Sequence, residues 1–520
     1  MSTAAPIPTG PQQSAPARTG GLQDCIRSGR LLSVVLAAPL LALTVGNTTV
    51  AVAAWLAPVL MLRFVRGPGL WRLPAGAVVM AAAHVFGWRG VLPFEGGLYL
   101  AVTTAAAVAL FTPYVADKLL ATRLQGFPRS LVFPAAWVTV EFIYSRLGFG
   151  SWGLIAYSQY GELPLLQLLS VTGMLGLTFL IGWFAAIANS AWETGWRGRK
   201  ACLQPLVYGV VILAVGLGGG MRLAFGGSPA ETVRIAGITV DNLEAFHGTW
   251  GPLTYGRPLT PELAAASATK VGDLQAALLI ETANQARAGA RIIVWSEGNA
   301  LVFKADEDTF IARAQAVAAE HRVYLFAAMA VMTPGERLVE NKVIAIDPAG
   351  KVRTTYLKSY PTPGEMSVPG DRQMRVLDTP HGRIALAICY DFDYSELIRQ
   401  AGRAGADILI DPSWDNRGMT PMHSHMAVFR AIENGASLFR PANGGLGLAV
   451  DHRGRVLASL DHHAAAAGPR ILLTDLPTRG VGTWYPWLGD ILALVSFLLL
   501  ICLGALAIRR PAMTPALRDQ

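Results

Sequence analysis

The stretch Ile384-Ala385-Leu386-Ala387-Ile388-Cys389-Tyr390-Asp391 runs five apolar residues into a thiol. A short apolar run of this length predicts a buried strand, which puts Cys389 at a strand end, where reactive side chains gather in layered αβ sheets. Two further runs have the same form. Ile292-Ile293-Val294-Trp295-Ser296 ends in Glu297, and Thr354-Thr355-Tyr356-Leu357 ends in Lys358. A carboxylate can take a thiol proton, an ammonium can steady a thiolate or an oxyanion, and a thiolate can attack an acyl carbon. The N–H of Tyr390, next after the thiol, is a candidate second oxyanion donor.

Working outward, residues 233–475 alternate strand and helix signals. Strands are expected at 233–240, 291–295, 322–331, 341–347, 351–357, 374–379, 383–389, 407–410, 437–441, 446–450, 455–459 and 470–475. Helices are expected at 262–289, 308–321, 394–404 and 421–435. This order predicts an α/β domain with a layered sheet.

The flanks are different in kind. The 520 residues are 52% hydrophobic and only 15% charged, and the mean hydropathy of +0.39 points to a membrane protein. Spans are expected at about 31–46, 48–65, 74–92, 97–116, 131–147, 165–189, 205–222 and 488–508, near the length a bilayer requires. Basic residues fall in alternate loops. Arg18, Arg27 and Arg30 precede the first span, followed by Arg63, Arg66 and Arg72, then Lys118, Arg123 and Arg129, then Arg197, Arg199 and Lys200, and finally Arg509, Arg510 and Arg518. The intervening loops carry only Arg89 and Arg146. Eight spans with both termini cytoplasmic fit this bias and put the α/β domain on the extracytoplasmic side. The net charge of +8 then reflects topology, not a nucleic-acid surface. Reading 31–45 as a cleaved signal peptide, with Ala51-Val52-Ala53 as cleavage site, would spoil the alternation.

The expected organisation is a disordered leader at 1–24, a seven-helix transmembrane domain at 25–228, the α/β domain at 229–480, an eighth helix at 481–510 and a cytoplasmic tail at 511–520. Cys25 and Cys202 fall on the cytoplasmic side and Cys502 in the last span, which leaves Cys389 without a disulfide partner. Glu141, between Val140 and Phe142, is a carboxylate inside an expected span, with Arg146 as a candidate partner or a lipid-headgroup groove as what it faces.

The Glu297, Lys358 and Cys389 segments resemble the Glu-Lys-Cys triad of the nitrilase, or carbon-nitrogen hydrolase, superfamily. With the membrane flanks, the chain is similar to the apolipoprotein N-acyltransferase family over most of its length. Gly148-Phe149-Gly150-Ser151-Trp152, Val294-Trp295-Ser296-Glu297, Tyr356-Leu357-Lys358 with Pro363-Gly364-Glu365, and Ile388-Cys389-Tyr390-Asp391 carry the likeness. Trp414, His423, Arg430-Ala431-Ile432-Glu433, Ala442-Asn443-Gly444-Gly445 and Tyr485-Pro486-Trp487 continue it. The resemblance implies a nitrilase-like α-β-β-α sandwich inserted before the last helix of an eight-helix bundle. It implies a ping-pong acyl transfer in a bacterial inner membrane, from a phospholipid through a Cys389 thioester to a diacylglyceryl-cysteine lipoprotein. Glu297 would be the base, Lys358 the oxyanion donor and Glu365 a second acid, with Tyr390, Asp391, Trp414 and His423 in support and no metal or organic cofactor. Three features depart from the family. They are Thr239-Val240-Asp241-Asn242-Leu243-Glu244 with its tryptophan only at Trp250, the 24 positions from Glu365 to Cys389, which imply a shortened lid, and Asp391 where the family has Glu. Asp391 gives the Cys-Tyr-Asp form of soluble amide hydrolases, so a membrane-anchored amide hydrolase with water as acceptor is the alternative activity. A non-catalytic scaffold or transporter would need a polar path through the spans.

Overall fold

The computed structural model describes residues 29–194, 199–226, 231–241, 260–464 and 468–509. The leader, the C-terminal tail, Asn242-Leu243-Glu244 and Trp250 lie outside them.

The helical half begins with α1 (Arg30–Ala42), α2 (Ala51–Val65), α3 (Arg72–Gly87), α4 (Gly96–Leu120), α5 (Gly126–Ser145), α6 (Met174–Thr194) and α7 (Arg199–Phe225). By length and composition, Gly96–Arg123, Met174–Glu193 and Cys202–Phe225 can cross a membrane, while α1, α2 and α3 are shorter apolar helices. The expected span 165–189 is not one helix. Two short turns at Leu163–Leu166 and Leu169–Thr172 end at Gly173, whose φ of 62° breaks the helix before Met174. A side chain there would also collide with the Tyr485 ring. Neighbouring helices pack in chain order from α3 through α6, and α2 also packs on α6.

Among the described residues the α/β half contains two large stacked sheets and a short pair, β10 (Ser413–Trp414) with β12 (Ala442–Asn443). The first is built from β1 (Thr232–Thr239), β2 (Ile292–Trp295), β3 (Ala300–Phe303), β4 (Tyr324–Met332), β5 (Glu340–Ile346), β6 (Val352–Leu357) and β15 (Arg470–Pro477), in the order β15-β1-β2-β4-β5-β6 with β3 beside β4. The second runs β14 (Val456–Asp461), β13 (Leu446–Val450), β11 (Ser437–Arg440), β9 (Ile408–Ile410), β8 (Gly382–Leu386), β7 (Arg375–Thr379). The central pairs β1–β2, β2–β4, β8–β9 and β9–β11 are parallel. Continuous apolar runs such as Ile292-Ile293-Val294-Trp295 suit this position because both faces of a central parallel strand are covered, and all four side chains are buried. The helices α8 (Pro261–Arg287) and α9 (Glu307–His321) cover the first sheet. On the second lie α10 (Ser395–Arg403) and α11 (Met422–Asn434). The layers are therefore α-β-β-α. Gly237 in β1 permits the close approach of the sheets, since a Cβ there would lie 2.7 Å from Pro441.

After β15 the chain returns to the helical half through α12 (Ile491–Arg509), which is long and apolar enough to cross a membrane and packs on α5. One apolar core unites the halves, running from Trp88, Trp152 and Leu177 into Ile388, Phe392 and Phe429. Burying this surface is the main stabilising term, at about 25 cal/mol per Å² of apolar area.

Glu141 is not paired with Arg146. It accepts hydrogen bonds from the Ile155 N–H at 3.0 Å and from Thr178 Oγ1 at 2.5 Å, within the helical half. Arg146 reaches Glu396 at 3.2 Å and Asp490 at 2.8 Å instead. The residue one turn away in sequence is drawn off by two carboxylates from elsewhere in the chain, a choice that no local spacing reveals.

Candidate active site

Glu297, Lys358 and Cys389 meet at one end of the stacked sheets. Lys358 follows β6 directly and Glu297 lies two residues past β2. Cys389 corrects the expected strand end. β8 stops at Leu386, and Cys389 opens a short 3-10 turn, Cys389–Asp393, with φ 50°. A left-handed conformation is costly for a non-glycine residue, so surrounding contacts must hold it. They are present: the Cys389 N–H donates to Asp411 Oδ1 at 2.9 Å, and Asp391 folds back to accept the Ile388 N–H at 3.1 Å. Asp391 also accepts from Tyr356 Oη at 2.7 Å and from the N–H groups of Ser359 and Tyr360 at 3.1 and 2.8 Å. It thereby ties the turn carrying Cys389 to the loop carrying Lys358, and needs both carboxylate oxygens as acceptors to do so.

Lys358 Nζ donates to Glu297 Oε1 and to Glu365 Oε2, each at 2.7 Å. An ammonium has three N–H donors, so one is left for a ligand. Burial alone would lower the lysine pKa, but Glu297 and Glu365 more than reverse that and hold it well above the usual range. Glu365 is held down at about 2: burial pushes it upward, and the Lys358 ammonium with its hydrogen bond overcomes that. Thr362 and Ser367 add donors to Glu365 at 2.7 to 3.0 Å. The Cys389 thiol is pushed well up, first by burial and then by Glu297, against the pull of Lys358. These influences favour the protonated thiol, and Glu297 is the carboxylate that acts most strongly on it.

Trp414 contributes its backbone. Its N–H donates to Glu297 Oε2 at 2.7 Å, and its carbonyl faces Cys389 Sγ at 3.7 Å. This peptide unit is fixed by a two-residue parallel pair, Ser413↔Ala442 and Trp414↔Asn443. His423 is buried behind the thiol, with Nδ1 2.6 Å from Asp415 Oδ1 and Nε2 3.0 Å from Asp393 Oδ2. Burial lowers its pKa, but the two carboxylates raise it further, to about 9. Sγ of Cys389, an Asp415 oxygen and a His423 nitrogen lie within 4.8 Å of one another, a spacing a cation could use. Their chemistry does not suit one, because both ring nitrogens already face carboxylates and Arg440 Nη2 sits 3.0 Å from Asp415.

Four residues here carry weight that the sequence reading did not give them. Asn341 on β5 donates to Glu297 at 2.7 Å and to Glu365 at 3.1 Å. Asp411 holds the Cys389 N–H and is itself paired with Arg440. Asp393 accepts from the Trp152 indole at 2.7 Å. Asp411 and Arg440 had a readable signal, since each follows apolar residues directly, Ile408-Leu409-Ile410 and Leu438-Phe439. Asn341 sits between Glu340 and Lys342 at the polar start of β5 and carries no such mark.

The loop after α5 seats the helical half on this turn. The Ser151 N–H donates to the Asp393 carbonyl at 2.9 Å and Tyr394 Oη to the Gly148 carbonyl at 2.8 Å. Gly150, at φ 57°, allows the approach, because a Cβ would lie 2.9 Å from the Asp393 oxygen. Beside this junction is an apolar cavity of about 430 Å³. Trp88, Leu92, Phe94, Ala106 and Trp152 line it from the helical half, and Thr362, Pro363, Tyr390 and Met419 from the α/β half. It reaches Tyr390, the residue after the thiol.

The carbon-nitrogen hydrolase family model matches residues 265–484, and the model of the apolipoprotein N-acyltransferase N-terminal domain matches residues 37–187. An apolipoprotein N-acyltransferase of Geobacter metallireducens is 27% identical over 477 residues, covering 83% of this chain and 87% of the relative. One from Gloeobacter violaceus is 26% identical over 470 residues, covering 82% of each. Among solved structures, an amidase from Nesterenkonia sp. is 20% identical and superposes with a TM-score of 0.35, covering 48% of this chain and 91% of the amidase. The helical half and the α/β half are each matched by one of these models, and along most of its length the chain is similar to apolipoprotein N-acyltransferases.

Proposed function

We propose that this protein transfers an acyl chain from a membrane phospholipid to the N-terminal amine of a diacylglyceryl-cysteine lipoprotein, through a thioester on Cys389. The observation that carries this reading is the apolar cavity of about 430 Å³ ending at Tyr390. Small amides have no use for such a space. An acyl chain gains about 0.8 kcal/mol for each CH₂ it keeps out of water.

In the first half-reaction Cys389 Sγ attacks the ester carbonyl as its proton passes to Glu297. The oxyanion is met by the third N–H of Lys358 and the backbone N–H of Tyr390. The tetrahedral adduct collapses, the ester C–O bond breaks, and Glu297 returns the proton to the departing glycerol oxygen. Lysophospholipid leaves and the thioester remains. In the second half the lipoprotein amine attacks the thioester carbonyl and gives a proton to Glu297. The C–S bond then breaks, and that proton restores the thiol. Glu365 and Asn341 keep Glu297 and Lys358 in register, and the Trp414 peptide unit holds the base beside the nucleophile. No step needs a redox change.

Residues 25–228 and 481–510 supply eight spans in this reading, and 229–480 form the catalytic domain on the extracytoplasmic face of a bacterial inner membrane. The alternation of basic loops supports that orientation. The exposed lipid-facing side chains of α7 and α12, Leu203, Leu206, Val210, Leu494 and Leu498 among them, support their burial in lipid.

The test is mass spectrometry of the purified protein after incubation with phospholipid alone, then with a diacylglyceryl-cysteine peptide. The expected result is one acyl adduct on Cys389 that disappears as the peptide gains the same mass. Release of free fatty acid with no gain on the peptide would refute the transferase in favour of a hydrolase.

A further inference from the structure

A second and more open groove, of about 830 Å³, lies beside the apolar cavity and shares Leu92 and Phe94 with it. Arg89 and Glu95, at the α3–α4 connection, line this groove. Both side chains are exposed. Among the described residues, neither makes a side-chain hydrogen bond or an ion pair, with each other or with anything else. The other cation in these sparsely charged loops, Arg146, is held between Glu396 and Asp490. Tyr99 also lines the groove, but its hydroxyl is committed to the Val85 carbonyl. What remains is one free guanidinium and one free carboxylate at the mouth of an apolar hole.

That arrangement has the order of parts of a glycerophospholipid. Its acyl chains are apolar, the ester to be cleaved lies at their polar end, and the phosphodiester follows one glycerol away. A planar guanidinium recognises phosphate oxygens through two parallel N–H donors. A carboxylate at the far side of the phosphate suits an ammonium and disfavours a headgroup that carries only negative charge. A positive charge at this end of the helices also runs against the loop-charge bias, and a ligand gives it a reason to be there.

We propose that Arg89 and Glu95 form the headgroup site of the acyl donor, with Arg89 binding the phosphodiester and Glu95 facing a headgroup ammonium. The proposal rests on the acyl-transfer reading and adds to it the residues that select the donor. They are specificity residues, remote from the bond that breaks, so their loss raises KM and spares kcat.

The test measures Cys389 acylation by the full-length enzyme in detergent, with three donors of one acyl length: phosphatidylethanolamine, phosphatidylglycerol and a nitrophenyl ester that has no phosphate. For Arg89→Gln, KM is expected to rise roughly tenfold for both phospholipids, the loss of one charge-assisted hydrogen bond, and to stay unchanged for the nitrophenyl ester. Arg89→Lys should recover part of the loss. Glu95→Gln should raise KM for phosphatidylethanolamine and lower it for phosphatidylglycerol. An unmoved phospholipid KM in Arg89→Gln, or an equal rise for the nitrophenyl ester, overturns the headgroup site while leaving acyl transfer intact. If the unmodified enzyme forms no Cys389 adduct from either phospholipid, the acyl-transfer reading falls, and the site with it.

Discussion

Replacing Asp411 by alanine removes the acceptor that holds the Cys389 N–H at 2.9 Å and one of the two carboxylates around Arg440. An orphaned buried N–H costs about 1–3 kcal/mol. Breaking a buried ion pair costs about 3–5 kcal/mol when the remaining charge has no other partner. Arg440 keeps Asp415 at 3.0 Å, so the lower end applies. The sum is roughly 4–6 kcal/mol, a large share of the 5–15 kcal/mol that holds a typical domain together. The effect on chemistry is separable from this loss. Cys389 sits at φ 50°, which stores about 1–2 kcal/mol and relaxes once the N–H is released. A shift of roughly 1 Å in the sulfur lowers the acylation rate about a hundredfold. Asp411→Asn distinguishes the two effects, because its amide oxygen still accepts the Cys389 and Ser413 hydrogen bonds while the charge opposite Arg440 is lost. The Asn protein should therefore melt early but acylate at a rate much closer to the original. The assay is single-turnover mass spectrometry of the Cys389 adduct, on protein shown by gel filtration in detergent to be monodisperse, with thermal unfolding measured in parallel. An Asp411→Ala protein that is folded and acylates as fast as the original would show that the left-handed conformation of Cys389 has no part in the reaction.

Cys389→Ala should insert in the membrane and form no adduct with any donor, and an acyl mass found elsewhere in the chain would remove the thioester from the mechanism. Glu297→Gln keeps an acceptor for Lys358 but no base, so adduct formation should fall about 10²–10⁴-fold with little change in donor KM; an unchanged rate would mean that another group takes the proton. His423 has a folded pKa near 9 against 6.5 for the free side chain, so its stabilising contribution is complete below pH 6.5 and disappears as pH rises to about 9. The contribution is roughly 3 kcal/mol, so thermal stability should decline over that window, and His423→Gln should flatten the decline; a parallel decline in the variant refutes the assignment. Ala106→Trp projects into the apolar cavity and should raise KM for long-chain donors while leaving short-chain esters untouched. Equal effects on both would place the acyl chain elsewhere.

The parts of this structure that were legible in the sequence are those fixed by local pattern. The run before Glu297 became a buried strand and the run before Lys358 a strand with alternate residues exposed, both at the expected places, and the long alanine-rich stretch became α8, because period and length are properties of a short window. The departures come mostly from contacts between distant segments. Cys389 reads as a strand end because Ala387 and Ile388 are apolar, yet the chain leaves the sheet at Leu386. What turns it is Asp391 accepting the Ile388 N–H and Asp411, 22 positions on, accepting the Cys389 N–H. The span expected at 165–189 is mostly apolar and carries no charge, so hydropathy alone runs through Gly173, where the Tyr485 ring from the far end of the chain requires a residue without a side chain. Glu141 has an arginine at i+5, but its partners are Ile155 and Thr178. Trp414 is the sharpest case. Its identity drew attention through a resemblance, whereas the group that lies between Glu297 and Cys389 is its peptide unit, held by pairing with Asn443. A two-residue strand has no periodicity, and a main-chain donor has no letter in the sequence. Side chains that do chemistry can be read from the order of residues, but the backbone that aims them becomes visible only when the chain is closed on itself.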